Sequence, residues 1–207
     1  MSGIPKITER EALEPSSRLG INPRDRGFIS LDSATEFGND QPLAIEIGSG
    51  KGTFLIESAT RHPSINWIGI EKSLHYYRVI VERLEKRRLT NARIVNFDAE
   101  AVMQRMLPDE SVSQVHIYFP DPWPRKREKK RRIAREPKLK SLARIMTRDA
   151  RGIFVTDHQE YFESAVPEFE KVFSVEAIEV TEGEPRTNYE AKYREQGRPI
   201  YEIRFRR

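Results

Sequence analysis

The sequence predicts an α/β fold: a doubly wound, mainly parallel seven-stranded sheet with an antiparallel pair at one edge. Three observations point there. Short apolar runs alternate with amphipathic stretches along most of the chain, the pattern of strands joined by crossover helices. A glycine cluster, Gly48-Ser49-Gly50-Lys51-Gly52, directly follows the first such run. The last two runs have no convincing helix between them, as antiparallel edge neighbours would.

Taken in order, residues 1–40 show weak periodicity and many Pro, Gly, Ser and Arg residues, and read as a loosely structured N-terminal arm. The main α/β domain then spans 41–207. Leu43 to Ile47 is the first strand, followed by a helix over Thr53 to Arg61. Asn66 to Glu71 is the second strand. A long helix follows, with Leu74, Tyr77, Val81 and Leu84 on one face at spacings of three and four. Ala92 to Asn96 and Val115 to Phe119 make strands three and four, with a short helix near Glu100 to Met106 between them. A helix over Pro137 to Met146 leads to a fifth strand, Gly152 to Thr156. A helix near Glu160 to Phe169 precedes the edge pair, Val172 to Val180 and Pro199 to Phe205.

Composition narrows the chemistry. With 207 residues, 37% hydrophobic and 33% charged, the chain suits one globular domain with a strongly charged surface. Nothing reads as a membrane span, and the opening residues lack the apolar run of a signal peptide, so a cytoplasmic protein with no membrane attachment is expected. There is no cysteine, which excludes disulfides, thiol nucleophiles and cysteine-bearing metal sites. The four histidines, at 62, 75, 116 and 158, show no ligand spacing, and no metal is expected. The net charge of +4 is modest, but from Arg125 to Arg135 the chain is densely basic, as a polyanion-binding or a solvated segment would be.

A glycine turn between strand and helix lets backbone approach a ligand and aims helix amides at it. A phosphate loop needs G-x-x-x-x-G-K-[ST], but Ile45 and Gly52 break that pattern. A nicotinamide site wants G-x-G-x-x-G; here Gly48, Gly50 and Gly52 close one residue early. What stands is E-x-G-x-G-x-G from Glu46 to Gly52. A carboxylate beside such a loop suits a ligand carrying ammonium and sulfonium charge. Glu71, ending the second strand, is placed to accept two ribose hydroxyls. Asp98, after the third strand, reads equally as a contact for an adenine amino group or as a helix N-cap.

The fourth strand delivers Phe119-Pro120-Asp121-Pro122-Trp123-Pro124-Arg125 and then the basic run. Strand carboxyl ends are where open α/β sheets bind ligands, so Asp121 should face the crevice. Three prolines stiffen this loop around Asp121 and Trp123. Cations starting at the rim of a cofactor crevice favour substrate phosphates, with Arg127, Lys129, Lys130, Arg131 and Arg132 as the candidate contacts to a phosphate backbone.

The E-x-G-x-G-x-G loop resembles the first motif of the Rossmann-like S-adenosylmethionine (SAM) methyltransferases. The D-P-W-P loop and its basic continuation resemble the signature of the bacterial tRNA (guanine-N7-)-methyltransferases, roughly F-x-D-P-W-P-K-x-R-H-x-K-R-R. Gly69-Ile70-Glu71, Asp98-Ala99, Thr156-Asp157 and Thr187-Asn188-Tyr189-Glu190 follow that family's order, and the similarity covers about 40 to 207. It implies SAM as cofactor, bound by Glu46, Gly48, Gly50, Glu71, Asp98 and Asp121. It also implies tRNA as partner and methyl transfer to N7 of the guanine at position forty-six of the variable loop. Asp121 would lie at the junction of cofactor and base, with Arg125, Asp157, Thr187, Asn188, Tyr189 and Glu190 on the substrate. Two departures stand out: Arg125 replaces the family's usual lysine and Glu128 its usual histidine. The alternatives are an exocyclic-amine methyltransferase acting on RNA, for which D-P-W-P would accept the amine, and a non-catalytic RNA-binding module. Monomer and homodimer are both open.

Overall fold

The computed structural model describes residues 18–180 and 185–207, the side chains of Asn188 and Tyr189 excepted. Along the chain come β1 (Gly20–Ile21), α1 (Pro23–Arg26), α2 (Ser33–Phe37), β2 (Leu43–Ile47), α3 (Thr53–Arg61), β3 (Asn66–Ile70), α4 (Leu74–Lys86), β4 (Ala92–Val95) and α5 (Ala99–Arg105). Then follow β5 (Val112–Tyr118), α6 (Glu136–Ile145), β6 (Met146–Thr156), α7 (Gln159–Glu170), β7 (Ser174–Glu179), α8 (Asn188–Glu195) and β8 (Tyr201–Arg206). The strands form one sheet in the order β1-β4-β3-β2-β5-β6-β8-β7. All pairs up to β5–β6 are parallel, and β8 runs antiparallel between β6 and β7.

The central strands β2, β3 and β4 are buried along their whole length, as expected where helices cover both faces. Alternation divides β2: Ala44 packs with Leu55, Tyr77, Ile80 and Leu84 of α3 and α4. Leu43, Ile45 and Ile47 pack on the other face with Val102, Leu139, Leu142 and Phe169 of α5, α6 and α7. Each such aliphatic side chain contributes about 1.5–3 kcal/mol by leaving water. Side-chain caps start α4 and α5: Ser73 accepts the Tyr76 amide, and Asp98 accepts the Glu100 and Ala101 amides.

Three details depart from expectation. The sheet has eight strands, not seven, because Gly20 and Ile21 add β1 beside Ile94 and Val95 of β4. That strand comes from the supposed arm. Residues 18–40 therefore belong to the fold, with Ile21 and Leu31 fully buried in the larger core; the rest of the arm, 1–17, lies outside the described residues. Finally, a helix, α8, does stand between the last two strands.

Candidate active site

The carboxyl ends of β2 to β5 converge on one cleft of about 1290 Å³. Glu46, Gly48, Ser49 and Gly50 line it from β2 and the loop after it. Glu71 and Tyr76 come from β3 and α4, Phe97 and Asp98 from the end of β4, and Tyr118, Asp121 and Trp123 from β5 and the loop following it. Lys130, Arg131, Arg135 and Thr187 stand at its rim. A parallel sheet produces this meeting point because every strand presents the same end to it.

The loop is held to its neighbouring strand at several points. Gly48 donates its amide to the Ile70 carbonyl at 2.8 Å. Glu71 accepts the Gly50 amide on Oε2 at 2.8 Å and the Ser73 amide on Oε1 at 2.7 Å. The carboxylate that the sequence assigns to ribose hydroxyls thus also braces the glycine loop, and each oxygen keeps a further lone pair. Asn96, buried and not singled out in the sequence, donates to the carbonyls of Glu71 at 2.9 Å and Lys72 at 3.1 Å, fixing the end of β3. An asparagine at a strand end carries no sequence signal that separates this role from a turn.

Gly48 and Gly50 have φ of 82° and 51°, left-handed values that glycine adopts without strain. No atom lies within 4 Å of where a side chain would begin on either, so bare backbone faces the cleft. Glu46 is buried at the cleft floor, and burial, with the charge of Glu71 adding to it, raises its carboxyl to about 8. Among the described residues the buried Glu46 Oε2 has no hydrogen-bond partner. Buried polar atoms are normally paired, and a ligand ammonium supplies the donor that Glu46 lacks. These groups therefore fit SAM: the unpaired oxygen of the buried Glu46 carboxyl for the amino acid moiety, exposed loop backbone, and Glu71 for a ribose.

Asp98 resolves toward the cap while still lining the cleft: its Oδ1 accepts the Glu100 amide at 3.1 Å and its Oδ2 pairs with Lys72 at 3.2 Å. Asp121 is exposed at the cleft. Its loop is strained, with Phe119 at φ 49° and Trp123 at φ 42°, a left-handed conformation that costs a bulky residue of order 1–3 kcal/mol. The Arg131 guanidinium lies over the Trp123 ring, 4.7 Å from its centre.

Not every expected residue lies where the sequence suggests. Arg132 is 3% exposed and bonds protein groups on α7 and the loop, so it is corrected from an RNA contact to a buried one. Lys129 pairs with Glu160 at 2.5 Å. Arg125 and Arg127 are exposed but outside the cleft lining, and Lys130 is exposed at its rim. Asp157 also lies off the cleft, paired with Arg198 at 3.0 Å. Glu190 is fully buried, bonded to Arg186 Nε at 3.1 Å and Arg194 at 2.7 Å. It holds the start of α8, and Thr187, the N-cap of that helix, is what reaches the cleft. The side chains of Asn188 and Tyr189 lie outside the description. Arg186, unremarked in the sequence, also bonds Glu202 of β8 and sits 5.5 Å from the ring centre of Tyr118. Beneath Tyr118, His116 offers Nδ1 to its hydroxyl at 3.2 Å. Burial, helped by the Arg186 charge, lowers the imidazole to about 4, so it is neutral packing. Among the described residues no cluster of three metal-ligating side chains exists, and no helix is long and apolar enough to cross a membrane.

A family model described as "Putative methyltransferase" matches residues 40–203. The chain is 36% identical over 177 residues to a tRNA (guanine-N(7)-)-methyltransferase of Bacillus cytotoxicus, covering 81% of this chain and 80% of that protein. It is 34% identical over 191 residues to the Rhodopirellula baltica protein of the same name, covering 86% of this chain and 70% of the relative. Among solved structures, a SAM-dependent methyltransferase from Aquifex aeolicus superposes with a TM-score of 0.58 at 14% identity, over 83% of this chain and 85% of that one. That last likeness establishes the shared fold alone. With the cleft, its glycine loop and the D-P-W-P turn in the positions described, the chain belongs to the tRNA (guanine-N(7)-)-methyltransferase family.

Proposed function

We propose that this protein transfers the methyl group of SAM to N7 of a guanine in tRNA, at position forty-six of the variable loop, in the cytoplasm. The observation that carries the reading is one cleft bringing Glu46 and Glu71 together with Asp121, under a rim of Lys130, Arg131 and Arg135. SAM supplies an electrophilic methyl carbon on a sulfonium. Guanine N7 bears an in-plane lone pair and no proton, so no general base is needed. What the chain must supply is alignment. Glu46 and the bare loop backbone seat the methionine part, and Glu71 orients the ribose. Asp121 sits where the base enters; its carboxylate faces the positive charge that develops on the methylated ring and accepts from the N1 and N2 donors that distinguish guanine from adenine. Thr187 lines the same wall. The exposed cations hold the phosphodiester backbone, giving affinity while tRNA shape selects the base.

The direct test is to incubate tRNA with tritiated SAM and the enzyme, then reduce and treat with aniline. Scission at a single labelled guanine is expected, at position forty-six. Label without scission would mark an exocyclic amine and overturn the N7 assignment. Asp121→Ala, altering an exposed residue, is expected to keep the fold and lose at least about a hundredfold in turnover, as single-turnover assays would read.

A further inference from the structure

We propose that Arg132 is a positioning residue that holds the Asp121–Trp123 turn at the cleft; this rests on the methyl-transfer reading above. Pro120, Pro122 and Pro124 have no amide hydrogens, so the turn has few means of fastening its own backbone. Before it, Phe119 donates to the Val155 carbonyl at 2.8 Å; after it, Glu128 donates to the Arg125 carbonyl at 2.8 Å. From Pro120 to Pro124, among the described residues, the one hydrogen bond to the turn's backbone comes from Arg132 Nε to the Pro122 carbonyl, at 2.7 Å. Pro122 sits between the two residues that line the cleft.

The other end of Arg132 is anchored. Nη1 donates to Ser164 Oγ at 2.7 Å and Nη2 to Glu160 Oε2 at 2.5 Å, both on α7. The guanidinium also lies over the fully buried Tyr161 ring at 4.5 Å. Bonds from Arg132 and then Lys129 hold the Glu160 carboxyl down to about 2, so the anchor stays ionised across the working range. A buried cation is tolerated when its donors are paired, and this one joins the turn to the helix that follows β6. The left-handed backbone at Phe119 and Trp123 persists only where surroundings impose it, and Arg132 is the polar group that grips the segment between them. Its neighbour Arg131 is exposed and faces Trp123. Adjacent arginines of one basic run therefore do different work: one reaches outward and the other braces from within.

Arg132→Lys and Arg132→Met separate bracing from phosphate contact, since lysine keeps the charge but lacks the guanidinium fork. The measurements are kcat, KM for tRNA and the salt dependence of tRNA affinity. A fourth is acrylamide quenching of Trp123 in a Trp67→Phe background. Both variants are expected to lose roughly tenfold to a hundredfold in kcat, to leave the salt slope unchanged and to expose Trp123 to quencher. Ser164→Ala and Glu160→Gln keep Arg132 and guard against a folding failure; they should shift kcat and quenching the same way, by less. A salt slope reduced by about one with kcat retained would make Arg132 a phosphate contact. Wild-type kcat and quenching across all four variants would also overturn the proposal. Quenching needs no tRNA, so it decides the brace even if the wild-type enzyme fails to methylate guanine N7.

Discussion

Glu46 shows what a single residue contributes beyond its place in a motif. Its carboxyl is raised to about 8 chiefly by burial, so the folded protein holds a proton that the unfolded chain releases near the ordinary value of 4.5. Between those values Glu46 holds more of its proton in the folded state than in the unfolded one, and its contribution to stability declines as pH rises. His116, buried neutral, works the other way below its ordinary 6.5, so denaturant melts of the ligand-free protein should show the decline from about pH 6.5 to pH 8, and Glu46→Gln should flatten it. An arriving ammonium favours the ionised carboxylate, so cofactor binding at neutral pH should expel a proton. Calorimetry in two buffers of different ionisation enthalpy would count it, and equal counts for wild type and Glu46→Gln would refute the role. At this scale the sequence is informative about residue type and poor about partners. The E-x-G-x-G-x-G spacing identified Glu46, whereas nothing local separated Arg131 from Arg132. Burial of Arg132 depends on Glu160, Tyr161 and Ser164, nearly thirty or more residues further along, and no periodicity of a charged run encodes that.

Among elements, the helices with apolar stripes were readable and the others were not. Tyr77 and Leu84 mark α4 through buried positions at helical spacing. α8 offers no such stripe: it is held by Glu190 accepting from Arg186 and Arg194, ion pairs that a hydrophobic pattern cannot reveal. β1 is two residues long, too short for alternation to register. The basic segment after β5 is likewise not uniform. Lys129 and Arg132 are committed to Glu160, while Lys126, Arg127 and Lys130 are exposed. Replacing those three with alanine should weaken tRNA binding with little change in cofactor affinity, and lower the salt slope by about one for each lost phosphate contact. Filter binding across a salt series would check this; an unaltered slope would place the RNA elsewhere.

At the scale of the whole molecule, the fold class followed from alternation, but its margins did not. The sheet extends past β4 through Ile21, which is fully buried, so residues 18–40 contribute to stability. Ile21→Ala should cost about 2–5 kcal/mol, read from the denaturation midpoint at constant slope; a loss under half a kilocalorie would mean that β1 is only laid against the sheet.

The opposite margin bears on the order in which the chain is made. Among the described residues β7 has its sheet neighbour only in β8, and β8 is wedged between β6 and β7. A nascent chain emerging from the ribosome therefore carries residues 174–179 with nothing to pair with until residues 201–206 have left the exit tunnel. Until then the β6 edge is open, with Phe154 short of Ile203 as its cross-strand neighbour. The last part of the sheet must close after translation has passed residue 206, and a ribosome stalled before that point would display an uncapped strand edge to chaperones.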